Sequence, residues 1–233
     1  VPDRKQIIKK MGVYFLKALA IVFAFSLLIT LPFSWIDPPT TSFIILAKLS
    51  TAKDAPDKIF HTWVDWEEIS PNMPIAAVAS EDQNFPSHFG FDLESISKVM
   101  SKKNRRMRGA STITQQVVKN IYLWPGKSFI RKGIEAYLTL YVESFWSKKR
   151  ILEVYLNIAE FGKGVYGVEA ASQKFFHKKA AKLTMHEAAL LAAVLPSPKR
   201  MSAGNPSAYV NRRAEWIVRQ VKQLDGAEYL KDL

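Results

Sequence analysis

Glu81-Asp82-Gln83-Asn84-Phe85-Pro86-Ser87-His88-Phe89-Gly90 follows the small apolar run from Ile75 to Ala79, and the rest of the chain is organised around it. An acidic pair closes a segment that reads as buried, and the rings of Phe85, His88 and Phe89 follow together with Pro86 and Gly90. Carboxylates in apolar surroundings have raised pKa values, which suits acid/base work. The plainer reading has Glu81 and Asp82 capping or solvating an ordinary helix end. Taken alone, the stretch leaves both readings open.

Outward from it, the chain of 233 residues with 48% hydrophobic content holds one sizeable core plus an appendage. Lys and Arg number 33 against 21 Asp and Glu, a formal +12 that favours polyanions: nucleic acid, anionic headgroups or phosphorylated substrates. Cysteine is absent, which excludes disulfides and thiolate metal sites. The nearest approach to a metalloprotease signature, His186-Glu187-Ala188-Ala189-Leu190, has leucine at the second ligand position and reads as ordinary helix.

Upstream, Met11 to Ile36 is almost continuously apolar, with Lys17 its one charge. About 19 apolar residues cross a hydrocarbon core of roughly 30 Å. Arg4, Lys5, Lys9 and Lys10 precede the run and Asp37-Pro38-Pro39 follows, so the positive-inside rule places residues 1–10 in the cytoplasm. A cleaved signal peptide is the alternative. Leu31-Pro32-Phe33-Ser34-Trp35 lacks its small-x-small site, so the span reads as an uncleaved anchor over 11–36, with Phe33 and Trp35 at the interface. Residues 37–72 read as an exit linker and domain entry carrying a strand-like piece from Ser42 to Leu49. From 73 to 233 the pattern is helical.

Downstream, Asp92 is positioned to cap a helix to about Met100, and the charge run from Lys102 to Arg108 reads as a solvated turn or a membrane-surface contact. A helix then runs from about Ser111 to Tyr122. Thr112, Gln115, Gln116 and Lys119 share an arc of about 100°, opposite the apolar sector of Ile113, Val117 and Ile121. An uncharged polar face ending in one lysine reads as a binding wall rather than solvated surface. Ser128 caps a long helix to about Lys148 with the stripe Ile134, Leu138, Tyr141, Val142 and Phe145. Arg131 and Glu135 lie along the edge of that stripe, which turns the carboxylate toward the core. Further helices follow over Lys149 to about Phe161, Gly167 to Phe176, Thr184 to Leu195 behind the capping box Thr184-Met185-His186-Glu187, and Ser207 to about Leu224. No alternating strand pattern appears after residue 74. The fold class is mainly α.

Five blocks now stand in order: Glu81-Asp82-x-x-Phe85-x-x-His88-x-Gly90; Gly109-Ala110-Ser111-Thr112-Ile113-Thr114-Gln115-Gln116 with Lys119-Asn120; Arg131-Lys132-x-x-Glu135; Lys149 to Asn157; and Ala189 to Pro198. The chain resembles the family-51 peptidoglycan glycosyltransferases, in particular the short monofunctional biosynthetic transglycosylases of Gram-negative bacteria. That resemblance implies a single transmembrane helix followed by a lysozyme-like helical domain at the periplasmic face of the inner membrane. It implies polymerisation of lipid II into glycan strands with release of undecaprenyl diphosphate. Lipid II, the growing glycan chain, membrane lipid and cell-wall synthesis or division proteins are the implied partners, and nucleic acid is not among them. Two departures are visible: relatives usually read Gly-Gly-Ser where Ala110 stands, and often carry arginine where Lys127 stands.

Carried over by the same resemblance, Glu81 is the base that takes the proton from the acceptor 4-hydroxyl, and the centre inverts to a β-1,4 link. Lys119, Lys127, Arg131 and Lys132 supply charge to the departing diphosphate. Glu135 orients those cations or helps to hold a divalent metal such as Mg2+ on the diphosphate. Ser111, Thr112, Gln115, Gln116 and Asn120 supply donor-site hydrogen bonds, while Asp82, Phe85 and His88 lie on the acceptor side or shape the loop. A lytic transglycosylase or lysozyme-like enzyme is the nearest rival, but cleaving a neutral glycosidic bond gives no reason to gather cations. A membrane-tethered basic binder is the other rival, and the uncharged polar wall argues against it.

Overall fold

The computed structural model describes residues 4–52, 55–94, 97, 111–126 and 128–233. Helix α1 (Arg4–Thr30) leads into a 3₁₀ turn over Leu31–Ser34, and the stretch Ile8–Ser34 is long and apolar enough to cross a membrane. Pro32 tightens its end, and carbonyls freed there are taken by side chains from far along the chain. Trp146 Nε1 donates to Thr30 O at 3.0 Å, and Arg150 donates to Phe33 O and Ile36 O at 3.0 and 2.9 Å. A guanidinium over the exposed C-terminal carbonyls of a helix is electrostatically favourable.

The strand-like piece expected at 42–49 is instead helix α2 (Ser42–Leu49). Thr41 Oγ1 accepts from Ile44 N, and Ser42 Oγ donates to the carbonyls of Asn120 and Leu123. A short apolar run fits either period, and the cap decides between them. Ile44 is buried, whereas Ile45, Leu46 and Leu49 face outward.

Helix α3 (Asn72–Glu81) is the axis of the core: every residue from Met73 to Ala79 is buried. Ala76, Ala77 and Ala79 let it lie close against its neighbours, above all α8 (Met185–Val194), which presents Ala188, Ala189, Ala192 and Ala193. Helix α9 (Ala208–Gln223) packs on both. On the other side stand α4 (Ile113–Tyr122), α5 (Phe129–Phe145) and α6 (Lys148–Ile158). The break between α5 and α6 falls at Trp146-Ser147, a little before the expected boundary at Lys148–Lys149: Trp146 turns inward to Thr30, and Ser147 caps α6 by accepting from Arg150 N.

After Ile158 the expected helix stops and strands appear: β2 (Glu160–Gly162) and β3 (Val165–Tyr166), with β1 (Phe60–His61) parallel to β3 and β2 antiparallel to it. Strands of two or three residues are too short to display alternation, which is why the pattern showed none. Gly164 makes the turn at φ +72, where a Cβ would lie 2.5 Å from Lys58 O. The segment before α3 is bound through α6: Glu153 accepts from Trp66 N at 2.9 Å, and Asn157 bonds both Val64 N and Val64 O. Helix α7 (Val168–Phe176) completes the order between β3 and α8.

Candidate active site

Because α3 is buried along its length, its last residue, Glu81, emerges from the core with little water around it. Gln116 Nε2 on α4 donates to Glu81 Oε2 at 3.1 Å. On the far side Arg213 Nη2 of α9 stands 4.0 Å from Oε1 and donates to Ser80 Oγ at 3.2 Å. Burial pushes the Glu81 carboxyl above its usual range, against the Gln116 hydrogen bond and the charges of Arg213 and Lys119. Gln116 is itself oriented, since Tyr155 donates to its Oε1 over a long 3.5 Å. Burial raises the Tyr155 phenol well above its ordinary value, so it stays a donor.

One turn along α4 from Gln116, Lys119 faces the start of α5. There Arg131 Nη1 and Lys132 Nζ grip the buried Glu135 at 2.7 and 2.5 Å, and Lys132 lies 3.5 Å from Ser111 Oγ. Among the described residues Lys119 Nζ has no hydrogen-bonded partner; it lies 5.6 Å from the Phe43 ring centre. Burial lowers its pKa, Glu135 and Glu81 oppose that, and Arg131 and Lys132 add to it. Three cations and two carboxylates therefore share one field, and the lysine is the member left to receive an anion. Both oxygens of Glu135 are occupied by these cations, and no three His, Asp or Glu side chains converge among the described residues. That donor set does not fit a protein-held divalent ion.

Asp82 is buried and turned the other way. His88 Nε2 lies 2.9 and 3.0 Å from its two oxygens, and Ile113 N donates to Oδ2 at 2.9 Å. The carboxylate ties the loop after α3 to the start of α4, the helix that carries Gln116 and Lys119. A second tie runs from Thr112 Oγ1 to Gly90 O at 2.8 Å. Gly90, at φ +76, passes so close to α5 that a Cβ would meet Thr139 Cγ2 at 2.6 Å. Lys148 Nζ reaches His88 O at 2.6 Å and Glu143, which also accepts from Thr114 Oγ1. Asp82→Ala would orphan Ile113 N and His88 together. We expect it to lower unfolding free energy by about 2–4 kcal/mol, read by urea denaturation.

Thr112 and Gln115 were expected in the substrate wall. Both are buried and close a capping box at the start of α4: Gln115 N donates to Thr112 Oγ1, and Thr112 N to Gln115 Oε1. Their contribution is to the helix that presents Gln116 and Lys119. Asn120 is half-buried on α4, and Ser111 is exposed beside Lys132. Phe85 is fully buried in the core, beneath the ammonium of Lys148 at 4.5 Å, whereas Phe89 is exposed. Lys127, the Lys102–Arg108 run, Gly109, Ala110 and the end of the helix expected to reach Met100 lie outside the described residues. Arg213, Tyr155 and the Glu143–Lys148 pair were not singled out from sequence. Nothing along the chain links residue 213 to residue 81.

Glu81, largely desolvated, thus shares an electrostatic field with the cations of α4 and α5. The family described as Transglycosylase matches residues 49–222. The biosynthetic peptidoglycan transglycosylase of Xanthomonas campestris pv. campestris (strain B100) is 51% identical over 212 residues, covering 89% of this chain and 86% of the relative. The protein of the same name from Escherichia coli (strain K12 / DH10B) is 58% identical over 172 residues, 72% of this chain and 71% of the relative. With the family match spanning α3 through α9, and so every helix that builds the site, this chain belongs to the transglycosylase family.

Proposed function

We propose that the protein is a membrane-anchored peptidoglycan glycosyltransferase that polymerises lipid II into β-1,4-linked glycan and releases undecaprenyl diphosphate. The observation that carries this is the placement of Glu81, desolvated and held by Gln116, with the cations of α4 and α5 beyond it. Glu81 takes the proton of the acceptor 4-hydroxyl, and the oxygen forms its bond to the donor anomeric carbon from the face opposite the diphosphate. The bond to the diphosphate oxygen breaks with its electron pair, so the centre inverts. Lys119, with Arg131 and Lys132 held by Glu135, receives the negative charge.

The same reading assigns residues 1–10 to a cytoplasmic tail, 11–36 to an anchor in the inner membrane, 37–72 to the entry segment and 73–233 to a periplasmic catalytic domain. Lys9 and Lys10 before the apolar span and Asp37 after it support that orientation. Purified full chain in detergent with labelled lipid II should yield a ladder of glycan polymer on a gel. No polymer, with soluble fragments released from preformed glycan instead, would return the protein to the glycan-cleaving enzymes.

A further inference from the structure

The two oxygens of Glu81 face different elements: Oε2 looks to α4 and the cations, Oε1 to α9. On α9, Tyr209, Arg212, Arg213 and Trp216 fall at i, i+3, i+4 and i+7 and line a hollow of about 230 Å³. Its character is unlike that of a solvated helix face. Tyr209 and Trp216 are 57% and 38% exposed, and the Arg213 guanidinium carbon lies 5.9 Å from the Trp216 ring centre. Among the described residues Arg212 is exposed without an ion-pair partner, and the buried Arg213 Nε has no hydrogen-bond partner. Two aromatic surfaces beside the unpaired Arg212 guanidinium are the makings of a site for a ligand with flat apolar faces and carboxylates.

Continuity says which ligand. Arg213 touches both the hollow and the Glu81 end of α3, and Gln220, one turn beyond Trp216, accepts from Gln83 Nε2 at 3.0 Å. The strip is thus bonded along the segment that carries the base. The anchor packs against α5, whereas α9 packs against α3 and α8, which favours a ligand leaving the cleft over a lipid surface. We propose that the α9 strip is a binding site for an anionic glycopeptide strand, its saccharide and peptide lying on Tyr209 and Trp216 and its peptide carboxylates paired with Arg212. This deepens the glycosyltransferase reading and rests on it.

The test uses full chain in detergent and two soluble, lipid-free probes: an uncross-linked glycan strand carrying its peptides, and the same strand with its carboxylates amidated. Isothermal titration should show Arg212→Glu and Trp216→Ala each weakening binding of the acidic strand about tenfold or more. Amidation should bring the parent protein down to the level of Arg212→Glu while changing that variant little. Both side chains are exposed, and melting temperatures close to the parent's confirm that the fold is kept. Equal binding of the acidic strand by parent and variants overturns the proposal. So does a loss seen with anionic vesicles but not with the strand. Polymer formation from lipid II is measured in parallel: polymer from the parent with no difference in strand binding defeats this site alone, while absence of polymer defeats the enzymatic reading.

Discussion

Glu81→Gln is expected to reduce glycan polymerisation by about 10²–10⁴-fold, the span typical of a lost general base, without weakening the fold. The amide can still meet Gln116, so geometry is largely kept. Burial raises the Glu81 pKa, meaning the folded protein binds that proton more tightly than the unfolded chain does. Above the folded pKa the charged carboxylate therefore works against stability, and the variant should melt at or above the parent at neutral pH. As pH falls through the folded pKa, that advantage should vanish. The same shift moves the acid limb of the kcat/KM profile above the ordinary glutamate range, because the base acts only when deprotonated. A variant that retains near-parent activity would remove Glu81 from the chemistry; one that loses activity and melting temperature together would make it structural.

Lys119→Met should lower kcat by about 10²–10³-fold with lipid II saturating, since on the proposed mechanism it removes a cation that stabilises the leaving group. Methionine keeps most of the length of the lysine stem. The ammonium is held in a desolvated place without a hydrogen-bonded partner among the described residues, so its removal should leave the melting temperature unchanged or higher. Arg131→Ala makes the instructive contrast. It also removes charge, but it strips a 2.7 Å partner from a buried carboxylate, and about 3 kcal/mol of stability should go with it. If Lys119→Met and Arg131→Ala lose stability equally, the lysine belongs to the scaffold. If Lys119→Met loses rate only at low substrate, its contribution is ground-state binding rather than transition-state charge.

Much of this site was legible because its parts sit in short local patterns. Gln116 and Lys119 are three apart on one helix, and Arg131, Lys132 and Glu135 lie within two turns of another, so periodicity alone groups each set. Thr112 and Gln115 show where such reasoning slips. The same i to i+3 spacing that places them on a polar face also makes a capping box, and the buried cap is what the chain forms. The piece from Ser42 to Leu49 failed for a related reason, since eight residues are too few for an apolar run to declare its period until Thr41 and the carbonyls of Asn120 and Leu123 are in place.

What the sequence determined by itself was the inventory: an apolar span, a series of capped helices, and the acidic and basic side chains of the Glu81, Lys119 and Glu135 blocks. These depend on interactions within a few residues of chain, which composition and spacing record. Tertiary structure alone decided that Asp82 bonds the start of α4, that Arg213 stands beside a residue 132 positions earlier, and that Glu81 is dry enough for its pKa to rise. Each depends on what surrounds a charge in space. Desolvation and Coulomb energy follow distance and burial, and separation along the chain carries neither.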